Sequence, residues 1–307
     1  MNSTLIRYVT RAELDVQLWD NCITNASNGL IYAYSFYLDT IAKQWDALVL
    51  DDYRMVMPLT WNKKAGLYYL YQPTFTHSLG IFGNNITSEI VKEFIDAIPK
   101  RFRLIEISLN KENDVRKLND HDCSVMMRKN YVLPLNRPYE ELYEGYNENI
   151  RRNARKSASL GSVVQKNIPI DEIIALTKRQ FAGLPNLDAD CANFTLLYQL
   201  LAPKNLAITY GIILKDQLLA SAAYFFSHGR AYYLLVGNHP NGKTIGASHY
   251  LIDRFIADYA GQNLILDFEG SDISSLAFFY SSFGATLENF PAIKINRLPW
   301  WIRWLKK

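Results

Sequence analysis

The sequence has little of several features that would place it in a special class of protein. Its three cysteines are widely spaced, which favours neither a disulfide framework nor a zinc site. No apolar run is long enough to span a bilayer, and the initial stretch MNSTLIRYVTRAELD lacks the apolar core of a secretory signal. The net charge of +3 is too small to indicate nucleic-acid binding by itself. We therefore expect a cytoplasmic protein without a metal site.

The composition that remains is that of a folded protein with room for two cores. Hydrophobic residues make up 49% of the chain and charged residues 21%. A length of 307 residues favours two domains, each large enough to bury its own core. The 20 tyrosines and 6 tryptophans suit clefts that bind amphipathic ligands.

One order of elements occurs twice along the chain: hairpin, strand, helix, strand. In the first half the pattern predicts strands over 47–50, 54–59, 67–72 and 104–109, with a helix over 88–98 that Thr87 caps. In the second half it predicts strands over 207–214, 218–226, 231–236 and 264–268, with a helix over 247–260. We predict an α/β protein of two similar domains, residues 1–138 and 139–307, each a mixed sheet flanked by helices.

The second half carries a glycine-bearing turn where its helix is expected to begin. The turn, Asn241–Ala247, follows the predicted strand that ends at Val236. Backbone N–H groups at a helix N-terminus favour anions, phosphate above all. The first half has only Gly80–Asn84 in the corresponding place. If one copy binds a cofactor, we expect it to be the second.

The spacing within this turn resembles a known coenzyme A signature. Lys243-x-x-Gly246-x-Ser248 is similar to the Gln/Arg-x-x-Gly-x-Gly/Ala motif of the GNAT acyl-CoA N-acyltransferases, with Lys and Ser as departures. Tyr280, four residues before Gly284, resembles their Tyr-x-x-x-Gly, in which the tyrosine is a general acid. The resemblance implies acyl-CoA as co-substrate. The predicted cofactor-binding residues are Val236, Gly242, Lys243, Thr244, Ile245, Gly246, Ala247 and Ser248. Replacing Gly246 with valine is predicted to abolish coenzyme A binding and to leave the fold nearly intact.

Two further stretches resemble the Fem-type peptidoglycan aminoacyltransferases. They are Tyr131–Val164, with its run Asn149-Ile-Arg-Arg-Asn-Ala-Arg-Lys, and the pair LDFEGS and FYSSFG near the C-terminus. The resemblance implies a tandem GNAT-like fold and transfer of an acyl or aminoacyl group to an amine of a small molecule or a peptidoglycan-precursor-like acceptor. The long helical hairpin of many tRNA-dependent Fem proteins has no counterpart here. Acyl-CoA is therefore favoured as donor, and aminoacyl-tRNA is the alternative.

Amide formation needs a base for the amine and a donor for the leaving group. Asp267 and Glu269 alternate at the end of a predicted strand, so both are expected on one face, where a carboxylate could act through a water. Tyr280 is the candidate acid. The alternatives are that one carboxylate caps the next helix and that Tyr280, among phenylalanines, belongs to the core.

A basic strip lies in the predicted helical stretch Tyr139–Leu160. Arg151, Arg152, Arg155 and Lys156 share one helix face, which could bind a phosphate-bearing substrate at the join between the domains or could be a solvated face. The tail PWWIRWLKK is expected to pack against the protein. A rival to the enzyme is a non-catalytic ligand-binding protein on a degenerate acyltransferase fold.

Overall fold

The computed structural model describes residues 5–118, 123–270 and 272–298. The tryptophan-rich tail from Trp300 onward lies outside these residues. The chain divides into two compact units, one running to Arg128 and resuming at Asn289, the other spanning Lys129–Glu288. The predicted boundary lies at 138/139, where the helical stretch Tyr139–Leu160 begins, and the predicted second domain includes the rest of the chain. The observed divisions fall instead inside two long strands, where the pattern gives no break.

The first unit alternates short helices with strands and takes its last strand from the end of the chain. Its elements in chain order are β1 (Ile6–Thr10), α1 (Val16–Asn25), α2 (Ser35–Ile41), β2 (Gln44–Leu50), β3 (Met55–Lys64), β4 (Leu67–Leu70), β5 (Phe82–Gly83), α3 (Ser88–Asp96) and β6 (Phe102–Ser108). The strands follow the order β1-β2-β3-β4-β6, and β5 pairs with β3. The pairs are antiparallel except β4–β6, which is parallel.

The predicted cap of the first unit's main helix is confirmed. The Thr87 side chain accepts a hydrogen bond from the Ile90 N–H, so one of the unpaired donors of the first turn of α3 is satisfied. The helix then buries Val91, Phe94 and Ile95 against the sheet core. The match follows from a short-range signal, a capping threonine ahead of an amphipathic run.

The second unit begins within one long strand and contains the predicted strand-rich run. Its elements in chain order are β7 (Cys123–Pro134), α4 (Tyr139–Glu144), α5 (Glu148–Ser159), β8 (Val163–Lys166), α6 (Ile170–Gln180), α7 (Leu187–Leu201), β9 (Ala207–Leu214), β10 (Gln217–Ser227), β11 (Arg230–Asn238), α8 (Pro240–Ile245), α9 (Ala247–Tyr259), β12 (Ile265–Asp267), α10 (Ser274–Ser281) and β13 (Thr286–Asn296). Strand β7 belongs to this unit from Lys129 onward, and β13 belongs to it only as far as Glu288. From Asn289 onward β13 is the last strand of the first unit, where residues 292–296 pair antiparallel with β6.

The second unit's sheet has the order β7-β12-β11-β10-β9-β8. Its pairs are antiparallel except β11–β12, which is parallel. Helix α6 packs against β11 and β10, whereas α9 packs against β9 and β10. Parallel neighbours require a crossover, and α8 with α9 supplies it. The predicted class, mixed α/β with sheets flanked by helices, is confirmed.

The sequence pattern predicts a helix over 32–45, with its aromatics on one side, and a helical stretch over 139–160, and both differ from the observed elements. The stretch 32–45 holds a 3₁₀ turn (Ile31–Ala33), the short α2 and the start of β2, because the chain leaves the helix at Ala42 to enter the sheet. The stretch 139–160 is two helices, α4 and α5, separated where Asn147 caps the second by accepting from the Ile150 N–H. No helix within the described residues has the length and apolar character needed to cross a membrane.

Candidate active site

The parallel strands β11 and β12 separate soon after they meet. They pair from Arg230–Ile265 to Tyr232–Asp267, and β11 then continues to Asn238. On its other edge β11 carries a bulge: Leu235 pairs with Ala223 and Tyr233 with Tyr224, which leaves Leu234 as an extra residue. A bulge bends its strand and increases the local twist. The result is a gap at the carboxyl ends of two parallel strands, where ligands bind in many α/β proteins.

Aromatic rings lie where the two strands separate. Tyr233 follows the last paired residue of β11, and Phe268 follows the last paired residue of β12. The Tyr280 ring of α10 stacks on Phe268 at 4.7 Å between centroids and meets Tyr233 edge-on at 6.4 Å. Burial and, secondly, the Glu269 carboxylate raise the pKa of Tyr280 to about 12. The phenol therefore keeps its proton at neutral pH and can donate it in a hydrogen bond.

Asp267 lies at the centre of a buried ionic network. Its Oδ1 accepts from Asn130 at 2.9 Å and from the Glu269 N–H at 3.0 Å, and its Oδ2 pairs with Arg230 at 2.6 Å. Arg230 also contacts Glu288. Burial lowers the pKa of Arg230, but the two carboxylates together outweigh burial and raise it. Both oxygens of Asp267 are thus engaged in holding strands together, which accounts for this residue without catalysis.

Glu269 does not share the face of Asp267 as the alternation predicted. Strand β12 ends at Asp267, and Glu269 adopts a left-handed backbone with φ 63°. The period-two alternation holds only while the chain is extended, so it cannot be continued past the end of a strand. Glu269 is half-buried, and its charge acts on the Tyr280 phenol. Its role as the base remains a prediction.

A cavity of about 470 Å³ opens where β11 ends. Two cationic side chains contribute to its lining, which consists of Leu176, Arg179, Gln180, Asn238, His239, Pro240 and Lys243. Lys243 belongs to the predicted set of cofactor-binding residues, whereas the sequence pattern gives no signal for Arg179. Basic residues are common in the last turn of a helix, because they complement the negative end of its dipole. In the sequence, Lys178 and Arg179 in the last turn of α6 therefore resemble an ordinary solvated helix end rather than part of a site.

The glycine-bearing turn of the prediction is largely helical. Residues 240–245 form α8, and Gly246, with φ 74°, joins it directly to α9. A Cβ on Gly242 would lie 2.2 Å from the Leu219 carbonyl oxygen, and one on Gly246 would lie 2.6 Å from that of Asn153. Both glycines therefore permit close backbone packing. The expectation that Gly246→Val leaves the fold nearly intact is wrong, because Gly246 is buried beneath α5.

The other predicted cofactor residues have varied surroundings. Thr244 is exposed and its carbonyl accepts from Lys156 at 2.8 Å, Ile245 is half-buried, and Ala247 lies in the core. Ser248 donates to the Asn238 side chain at 2.5 Å. The Val236 carbonyl lies on the β11 edge and accepts from Thr177. Lys243 is the member of the predicted set that lines the cavity.

The basic face of α5 is engaged in local bonds. Arg151 donates to the Tyr146 carbonyl at 2.8 Å, Arg152 to Asn149 at 2.9 Å, and Arg155 pairs with Glu148 at 2.9 Å. Arg155 also lines a cavity of about 240 Å³ beside Tyr250 and Arg254. These bonds satisfy part of the positive charge within the helix itself, and phosphate binding by this face remains a prediction.

The sequence of this region matches a known domain family. The sequence model of the acetyltransferase (GNAT) domain matches residues 145–272, which include α5, the cavity and both separating strands. Residues 145–272 are thus similar in sequence to a GNAT domain. Tyr280 follows the matched segment. No curated protein matches the chain significantly.

Solved structures extend the likeness to both units. A crystal structure of FemX aligns with a TM-score of 0.67 at 13% identity, covering 96% of this chain and 99% of that one. A tandem GNAT protein from the clavulanic acid biosynthesis pathway aligns with a TM-score of 0.58 at 10% identity, and the alignment covers 96% of this chain and 99% of that one. The C-terminal domain of a putative lysylphosphatidylglycerol synthetase from Agrobacterium fabrum aligns with a TM-score of 0.51 at 9% identity, and the alignment covers 95% of this chain and 94% of that one. The segment that matches the GNAT model thus lies in a chain whose fold is similar to those of FemX and the tandem GNAT protein.

Proposed function

We propose that this protein is an N-acyltransferase that moves an acyl group from acyl-CoA to an amine of a small molecule or cell-envelope precursor. The observation that carries the proposal is the gap between β11 and β12, which lies inside the segment that matches the GNAT model and leads to a cavity with two cations. An acyl-CoA has an anionic diphosphate at one end and a thioester at the other, joined by a chain of amides. That sequence of groups fits a cationic cavity followed by a strand edge.

The diphosphate is assigned to Arg179 and Lys243. Guanidinium groups bind phosphate through two parallel hydrogen bonds, and lysine adds a mobile point charge. The amide chain then extends along β11 toward Tyr233, as an added strand does on a sheet edge. This direction brings the thioester to the aromatic rings at the point where the strands separate.

In the reaction, the neutral amine attacks the thioester carbonyl, the carbon–sulfur bond breaks, and the amine loses a proton as the sulfur gains one. Tyr280 donates a hydrogen bond to the departing sulfur. Its pKa of about 12 lies well above the roughly 8.5 of a thiol, so full transfer from tyrosine would be uphill by roughly 5 kcal/mol. Tyr280 therefore stabilises the developing thiolate, and Glu269 relays the amine proton through water.

The proposal is tested by calorimetric titration with acetyl-CoA and by turnover with an amine panel. Lys243→Glu and Arg179→Glu should each weaken binding at least tenfold, since each replaces an attractive charge with a repulsive one. Tyr280→Phe should leave binding unchanged and lower turnover about 100-fold.

Lys204→Glu is the matched control. Lys204 is exposed near Leu206, which bonds to Phe226 at the end of β10 remote from the cavity. It should bind acetyl-CoA like the wild type. Absence of binding in the wild type would instead favour an aminoacyl-tRNA donor or a non-catalytic role.

A further inference from the structure

Two main-chain groups of β11 point into the gap. The His239 N–H donates to the Leu219 carbonyl of β10 at 2.9 Å, so residue 239 faces β10. Main-chain groups of successive strand residues alternate between the two edges. The Asn238 N–H and the Val236 carbonyl therefore point to the other edge, which β12 leaves unpaired after Asp267.

Helix α6 bonds to both of these groups. The Asn238 N–H donates to Gln180 Oε1 at 2.6 Å. The Val236 carbonyl lies 3.2 Å from the Thr177 hydroxyl, whose single proton it shares with the Ile173 carbonyl of α6 at 2.9 Å. Thr177 is 3% exposed, so its bond is shielded from water. The helix comes this close because residue 237 is glycine: a Cβ there would lie 3.0 Å from the Leu176 side chain.

The pattern that α6 satisfies is that of an added strand. A carbonyl and an N–H two residues apart on one edge together accept and donate to a single residue of a parallel neighbour. Thr177 supplies the donor and Gln180 the acceptor of such a residue. Any ligand with an N–H and a carbonyl at peptide-like spacing would need the same two groups on β11.

We propose that α6 competes with the acyl donor for the β11 edge, and that Thr177 and Gln180 thereby set which donors bind and how tightly. The inference rests on the proposed function, in which an amide-bearing acyl donor runs along this edge. Such a donor must displace both side chains before it can pair with the strand. Its apparent affinity is then reduced by the fraction of molecules in which α6 is released.

The competition is tested with Thr177→Val, Gln180→Leu and their combination. Thr177→Val keeps the shape of the side chain and removes its bonds to Val236 and to the Ile173 carbonyl of its own helix. Thr177 is not part of the lining of the cavity. Acetyl-CoA should bind about three- to tenfold more tightly to Thr177→Val, because one competing hydrogen bond is lost. Thr195→Val is the matched control, because Thr195 bonds within its own helix to the Cys191 carbonyl. Its affinity should equal that of the wild type.

A second measurement follows the hydrogen bond between the Asn238 N–H and Gln180 in the absence of any acyl donor. Amide exchange at Asn238 should accelerate in Gln180→Leu and remain slow in Gln180→Glu, which keeps an acceptor oxygen. An unchanged exchange rate of the Asn238 amide in Gln180→Leu would show that Gln180 does not hold this N–H, and it would overturn the competition.

The binding outcomes separate this inference from the proposed function. If the wild type binds acetyl-CoA and Thr177→Val binds equally or more weakly, the competition is overturned and the proposed function stands. If only the double variant binds, the competition is supported, and in the wild type α6 closes the β11 edge to this donor. If no variant binds, acyl-CoA use and the competition both fail.

Discussion

Each unit contains one parallel pair of strands with a gap beside it, and the two units fill that gap differently. In the first unit the chain after β4 returns to β6: Leu79 bridges Leu109 in parallel, and its N–H donates to the Ser108 carbonyl at 2.9 Å. Gln72 accepts from the Ser108 N–H at 3.0 Å. In the second unit the side chains of α6 take this place, and a cavity remains at the strand end.

The difference teaches which gap a ligand can enter. The first filling is main chain, and buried asparagines hold it: Asn113 accepts from the Ile81 N–H and Asn28 from the Gly83 N–H. Displacing it would leave several backbone groups unsatisfied in the interior, at a cost of about 1–3 kcal/mol each. The second filling consists of two side chains that can turn away. The second unit therefore has the edge that a ligand can occupy at lower cost.

The largest expected effect concerns the paired ends of the two sheets. Arg230 and Asp267 join β11 to β12 with side chains only 11% and 5% exposed, whereas Lys294 and Glu106 join β13 to β6 at 35% and 43%. Arg230→Met should lower the free energy of unfolding by about 3–5 kcal/mol, because it leaves two carboxylates buried without their cation. Lys294→Met should cost less than about 1 kcal/mol. Denaturant unfolding measures both, and equal costs would contradict the comparison.

The contrast between local signals and contacts distant along the chain explains which features the sequence could predict. Strand β9 was predicted at its observed bounds, Ala207–Leu214, because a continuous apolar run between turn residues is a local signal. The Thr87 cap is equally local. The network of Asp267 depends on Asn130, Arg230 and Glu288, which are distant along the chain, so the pattern around Asp267 could not reveal it.

The lining of the cavity combines a local and a long-range feature of the chain. The sequence pattern selects Lys243 through its motif, whereas Arg179 lies on a helix that only the tertiary fold brings to β11. The sequence pattern selects Gly242 and Gly246 as candidates for phosphate contacts. The structure adds a second reason for them, the approach of Leu219 to Gly242 and of Asn153 to Gly246. A close backbone approach of this kind leaves no pattern in a single sequence.

The next effect compares two left-handed glycines, one from each unit. Gly246 has φ 74° and the Asn153 main chain beside it, and Gly66 has φ 81° with nothing within 4 Å of a Cβ. Gly66→Ala should cost about 1 kcal/mol, for the backbone conformation alone. Gly246→Ala should cost about 2–4 kcal/mol, since overpacking adds to the same strain. Thermal and denaturant unfolding of both variants gives the difference, and similar losses would show that α5 yields without cost.

The smallest effect is a pH dependence. Each unit packs one histidine on a phenylalanine, His77 on Phe290 at 4.0 Å and His249 on Phe279 at 5.0 Å. Burial lowers the pKa of His249 to about 4, from about 6.5 when unfolded. The unfolded chain therefore takes up a proton first as the pH falls, so the stability from neutral His249 is complete above pH 6.5 and is lost toward pH 4.

At pH 5 this linkage should cost the wild type up to about 2 kcal/mol relative to pH 7.5. His249→Gln cannot take up the proton, so its unfolding free energy should fall less over the same interval. The measurement is denaturant unfolding of both proteins at the two pH values. The decisive quantity is the difference between their pH slopes, in which the contributions of all other groups cancel. Identical slopes would mean that water reaches His249 between α9 and α10 and that its pKa in the folded protein stays near the unfolded value.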